Sequence, residues 1–84
     1  MAVTVKFFAS VREAVGCSTE TLTVPAGVAT VGDLRAHLAA RGEAWRQALD
    51  HPALRTACNQ VMCDAGTAVV DGSEVAFFPP VTGG

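Results

Sequence analysis

The chain opens on an alternation. Between Ala2 and Ala9 (A-V-T-V-K-F-F-A), Val3, Val5 and Phe7 fall on one side of an extended backbone, and Thr4, Lys6 and Phe8 on the other. This period of two predicts a strand with one buried face. Ser10 then opens S-V-R-E, a capping-box spacing with Glu13 at the third helical position, and Gly16 supplies a stop, so a short helix follows. Thr19 to Val24 alternates again, Leu22 and Val24 inward and Thr21 and Thr23 outward, until Pro25 and Gly27 end it. From Thr30 the period lengthens. Val31, Leu34 and Leu38 share one stripe of the main helix, Thr30 and Asp33 repeat the capping pattern, and Gly42 closes the segment. Gly32 sits in its first turn, where alanine is favoured by roughly 1 kcal/mol. Glu43 to Leu49 predicts a second short helix with Trp45 and Leu49 on one side, broken by Asp50-His51-Pro52. Ala57 to Cys63 reads as a third strand. Ala65-Gly66 turns into a fourth, Thr67 to Val70, and Asp71-Gly72 into a fifth, Glu74 to Phe78.

This order predicts an α+β domain, a mixed five-stranded sheet with the main helix packed on one face. The arrangement resembles the β-grasp, or ubiquitin-like, fold, in which the first and last strands lie side by side and parallel. Residues 1–78 form the domain and residues 79–84 a flexible C-terminal tail.

The final residues, V-A-F-F-P-P-V-T-G-G from Val75 to Gly84, are the chemically distinctive stretch. Pro79 and Pro80 cannot donate to a β-ladder, so the strand stops there and the chain continues stiff and extended. Val81, Thr82, Gly83 and Gly84 then form a thin end able to thread into another protein's active site, because the glycines carry no side chain to clash. The terminal carboxyl of Gly84 is ionised at neutral pH. As a carboxylate it is a poor electrophile, but it can attack the α-phosphate of a nucleotide and become a reactive acyl-adenylate. A frayed end with incidental glycines is the plain alternative.

Strand parity has a second consequence. With Val3, Val5, Phe7, Val75 and Phe77 facing the helix, Phe8 and Phe78 face the open side of the sheet, and Met62 comes alongside them if the third strand neighbours the last. Aromatic side chains bury about 150–250 Å² each, so the patch reaches roughly 400 Å², the size of a functional surface. Its burial is worth on the order of 10 kcal/mol against an association cost of about 4–15 kcal/mol, so insertion of the tail decides the affinity. In the alternative, Phe8 or Phe78 tucks beneath the Trp45 segment.

Composition narrows the classes. Half of the 84 residues are apolar and 17% are charged, the signature of a globular chain. A net charge of −2 gives no footprint for nucleic acid. No apolar run is long enough to span a membrane, and no signal peptide precedes the first strand. Three cysteines, Cys17, Cys58 and Cys63, argue against a disulfide framework and for a reducing, cytoplasmic setting. They lack the paired C-x2-C spacing of a zinc site, so no metal is expected, and His37 and His51 read as helix and turn residues at the solvent side.

Several motifs together resemble one family over nearly the whole chain. They are F-F-A at the end of the first strand, V-R-E at Val11 to Glu13, and T-V-x-x-L-R-x-H at Thr30 to His37. Trp45, N-Q at Asn59-Gln60 and the closing D-G-x-E-V-A-F-F-P-P-V-T-G-G from Asp71 complete the set. The family is that of the small, sulfur-carrying subunits of molybdopterin synthase. The resemblance implies that a ubiquitin-activating-like adenylyltransferase uses ATP to adenylate Gly84, which then becomes a thiocarboxylate. The tail, Pro79 to Gly83, would insert into the large synthase subunit, where the sulfur passes to cyclic pyranopterin monophosphate to build the dithiolene of molybdopterin. It further implies a heterotetramer of small and large subunits, no tightly bound cofactor, and partner contacts at Phe8, Met62 and Phe78, with Arg12 as a charged contact. The sequence carries no constellation for general acid–base or nucleophilic catalysis, so catalytic side chains belong on the partners. Val61 to Val70 departs most from the family pattern. Two other readings share the fold and the closing glycines: a sulfur carrier for thiazole or cysteine synthesis, and a ubiquitin-like modifier or interaction domain.

Overall fold

A computed structural model describes residues 1–79 of the chain. Eight elements follow in order: β1 (Ala2–Phe7), α1 (Ala9–Val15), β2 (Thr19–Thr23), α2 (Val31–Ala39), α3 (Glu43–Leu49), β3 (Arg55–Cys58), β4 (Val61–Cys63) and β5 (Glu74–Phe78). The strands form one mixed sheet in the order β2-β1-β5-β3-β4. β1 runs antiparallel to β2 and parallel to β5, with Val5 beside Val75 and Phe7 beside Phe77. This is the β-grasp arrangement.

The alternation in β1 and β5 builds the core directly. Val3, Val5, Phe7, Val75 and Phe77 are at most 1% exposed, and the stripe Val31, Leu34 and Leu38 of α2, with Leu49 of α3, closes over them. The α2 start is fixed by its predicted capping box. The Thr30 hydroxyl accepts from the Asp33 N–H at 3.1 Å, while the Asp33 carboxylate accepts from the Thr30 N–H at 3.2 Å and the Ala29 N–H at 3.1 Å. Those donors, Ala29 first, hold the Asp33 carboxyl below its ordinary range. Trp45 meets Phe7 edge-on, ring centroids 5.5 Å apart, so the wall of α3 rests on the core aromatic of β1. Arg41 lies 4.7 Å over the Trp45 ring and forks onto Glu20 at 2.8 and 2.6 Å, tying the α2–α3 connection to the sheet edge. The hydrogen bond from Arg41 pulls the Glu20 carboxyl down.

The sheet and helices depart from the sequence expectations in five places. Ser10 caps nothing. Phe8 is the N-cap of α1, because the chain turns at Ala9 (φ 51°), and Gly16 alone keeps its predicted role, in the left-handed cap at φ 80°. Gly42 does not close α2, which ends at Ala39 with Ala40 as its cap; Gly42 starts α3 instead. Ala57 to Cys63 is a hairpin and not one strand. Asn59 and Gln60 both have positive φ, 51° and 68°, and make the tight turn between β3 and β4. Asn59 pins that turn to β5, donating its N–H to the Glu74 carbonyl at 2.7 Å and accepting from the Glu74 N–H at 3.0 Å. Thr67 to Val70 is no strand; it forms an isolated bridge, Ala68 to the α2 cap Thr30, in which the Thr67 carbonyl accepts from the Val31 N–H and the Ala29 carbonyl from the Val69 N–H, 2.9 Å each. Gly32 is where that loop comes closest. Its N–H donates to the Ala65 carbonyl at 2.9 Å, and a Cβ on it would sit 3.1 Å from the Ala65 oxygen and Cβ, so the helix-propensity gain expected for alanine is offset.

Candidate functional site

The candidate site lies where β5 gives out. Its pairing with β1 ends at Phe7 beside Phe77, and one further bond, from the Phe8 N–H to the Phe77 carbonyl at 3.2 Å, carries the register past it. Phe8 and Phe78 therefore sit next to each other on the face away from the helices. Their rings meet edge to face, centroids 6.4 Å apart at 85°. Phe8 stays on this face because its backbone is still extended (ψ 151°), and only at Ala9 does the chain swing to the other side of the sheet. It is 46% exposed, and Phe78 is half-buried. The aromatic under the Trp45 helix is Phe7; the alternative in which Phe8 or Phe78 fills that place does not hold.

Around this pair the ladder lays out the rest of the face. Lys6, Ala76, Ala57 and Met62 form one row across β1, β5, β3 and β4. Met62, 57% exposed, thus shares the face with the phenylalanines, with Ala57 and β3 standing between. Lys6 and Glu74 neutralise each other at 3.4 Å. One residue of the face escapes the sequence reading. Arg55 pairs with Phe78, two positions before Ala57, and so points the same way. A strand started two residues earlier would have shown it by parity alone. Arg12 is exposed on α1 and has no ion pair among the described residues.

Pro79 is the last described residue. It is half-buried and lines a groove of about 270 Å³ between α1 and α3, apolar at Val11, Ala14, Ala48 and Leu54 and polar at Ser10, Gln47 and His51. The tail positions Pro80, Val81, Thr82, Gly83 and Gly84 lie outside the described residues. Cys17, Cys58 and Cys63 are free, half-buried thiols against the core. Among the described residues no His, Cys, Asp or Glu cluster fits a metal ion, and no helix is long and apolar enough to cross a membrane.

Comparison with known proteins bears on this geometry. The ThiS family matches residues 5–84. The molybdopterin synthase sulfur carrier subunit of Escherichia coli (strain K12) is 49% identical over 80 residues, 95% of this chain and 96% of that protein. Among solved structures, SAMP1 from Haloferax volcanii superposes with a TM-score of 0.77 at 30% identity, each chain fully covered. A protein–protein complex of subunits 1 and 2 of molybdopterin-converting factor from Helicobacter pylori 26695 contains a chain with a TM-score of 0.70 at 27% identity, again with both chains fully covered. On these grounds this ubiquitin-like chain, with its β-grasp sheet, belongs to the ThiS family.

Proposed function

We propose that this chain is the sulfur carrier subunit of a molybdopterin synthase and serves molybdenum cofactor biosynthesis. The observation that carries the reading is the Phe8–Phe78 aromatic pair, Phe8 exposed and Phe78 half-buried, on the open face where the last strand ends. A protein that only had to fold would place polar side chains there. An aromatic pair beside an exit gives a partner a surface to grip while it draws in the terminus. The 49% identity with a named carrier subunit, and the likeness to a chain seen with its second subunit, support the same reading.

The chemistry then follows from the terminal carboxylate. An adenylyltransferase brings ATP, the Gly84 carboxylate attacks the α-phosphorus, and pyrophosphate leaves. A sulfide-equivalent donor displaces AMP from the acyl-adenylate, forming the C–S bond of a thiocarboxylate as the C–O bond to AMP breaks. Docking of the open face on the large subunit precedes entry of Pro79 to Gly84, so that the soft nucleophile meets cyclic pyranopterin monophosphate away from water. The carrier supplies no general base, and the catalytic side chains are the partners'. The decisive experiment deletes Gly84 and assays sulfur transfer with the large subunit. The account expects transfer to vanish with the fold intact; retained transfer overturns it.

The likeness to SAMP1, a small archaeal modifier protein by name, supports a second reading as a ubiquitin-like modifier. Conjugates on target lysines that disappear when Gly84 is deleted would establish it.

A further inference from the structure

The open face carries a charge that the fold does not use. Arg55 lies directly across the β3–β5 ladder from Phe78, is exposed, and has no carboxylate within ion-pairing distance among the described residues. Nearby acids are engaged elsewhere. Glu74, on the same face, holds Lys6 at 3.4 Å. Asp64, which lines a hollow with Arg55, accepts from the Gly66 N–H at 2.9 Å and from the Thr67 hydroxyl.

A partner that covers Phe78 draws water away from the guanidinium beside it, and a cation stripped of water without a counter-charge works against docking. Arginine is also the cation whose planar fork best matches a carboxylate. We infer that the protein surface closing over Phe8 and Phe78 is apolar with an acidic side chain set opposite Arg55, and that this pair steers the encounter. Nucleic acid does not fit, because a lone guanidinium beside Phe78, on a chain of net charge −2, offers no track for a phosphate backbone. The inference rests on the docking reading above and specifies the partner's chemistry.

The test measures association of the full chain with the purified large subunit of its molybdopterin synthase, at low and high salt. For the unaltered chain the association rate falls as salt rises. Arg55→Glu slows association roughly tenfold at low salt, and its rate no longer falls with salt. Arg55→Lys, which keeps the charge, retains the salt dependence, and Arg55→Ala reduces it. An unchanged melting curve shows that each variant is folded; if Arg55→Glu is not, the Lys and Ala pair decides. Should Arg55→Glu and Arg55→Ala match the unaltered chain in rate and salt dependence while Phe78→Arg abolishes binding, the docking face stands and the acidic contact is refuted. Should Phe78→Arg also bind normally, the docking face and the contact fall together.

Discussion

Two consecutive phenylalanines, substituted one at a time, separate what folds this protein from what it presents. Phe8 is 46% exposed, so nearly half of a side chain that presents roughly 150–250 Å² meets water in the free protein. Covering that area in a complex, at about 25 cal/mol per Å², supplies roughly 2–3 kcal/mol. Phe8→Ala therefore raises the Kd for the large synthase subunit by roughly 30- to 150-fold. The free protein loses only the edge-to-face contact with Phe78, worth about 0.5–1.5 kcal/mol. Phe7→Ala does the reverse. Phe7 is 1% exposed between Trp45 at 5.5 Å and Phe77 at 6.3 Å, and its truncation costs about 3–5 kcal/mol of folding stability. Calorimetric titration with the large subunit, paired with thermal melts of each variant alone, reads both quantities. A Phe8→Ala protein that melts close to the unaltered chain and binds within threefold of it (roughly 0.7 kcal/mol) would refute the assignment of this face as the docking surface.

Other expectations concern the scaffold. Thr30→Ala removes the hydroxyl that accepts from the Asp33 N–H and costs about 1 kcal/mol, a fall in Tm of roughly 4–8 °C for a domain of this size; Ser10→Ala leaves the melt unchanged, since Ser10 caps nothing. Gln60→Gly relieves a side chain held at φ 68°, and Tm rises by roughly 2–6 °C; a fall would contradict the turn. Glu20, Asp33 and Glu43 are all held below their ordinary values, chiefly by Arg41, by the Ala29 N–H and by Arg46 respectively. Each is more acidic folded than unfolded, so its stabilisation is whole above the ordinary carboxylate range and is lost as pH falls through the lowered values. Tm therefore drops as the solution is taken from about pH 5 to pH 3, and Arg41→Ala removes the Glu20 share of that drop; a melt that strengthens on acidification would contradict the pairings.

Much of this was legible in the sequence because two periods do most of the specifying. Alternation at Val3, Val5 and Phe7 and again at Val75 and Phe77 fixed which side of each strand faces the helix, and with it the outward placing of Phe8 and Phe78. The 3-4 spacing of Val31, Leu34 and Leu38 fixed the buried stripe of α2. The misreadings fall where backbone geometry overrides pattern. Asn59-Gln60 lacks the glycine that marks a tight hairpin, and apolar residues on both sides made β3 and β4 look continuous; only the paired positive φ values separate them. That error began the strand too late, at Ala57, and so hid Arg55. Ser10 offered a sound capping pattern, but the turn at Ala9 had already started the helix from Phe8. Gly32 looked like a lost alanine until the loop at Ala65, distant in sequence, came within 3.1 Å.

The central claim of the proposed function is that the working atom is the terminal carbonyl of Gly84. An intact-mass measurement tests it, made after incubating the full chain with ATP, its activating enzyme and a sulfur donor. The account predicts a gain equal to sulfur minus oxygen, localised by fragmentation to Gly84 and dependent on ATP. An unchanged mass at Gly84 with the activating enzyme fully active, or the same gain on a cysteine instead, would contradict it.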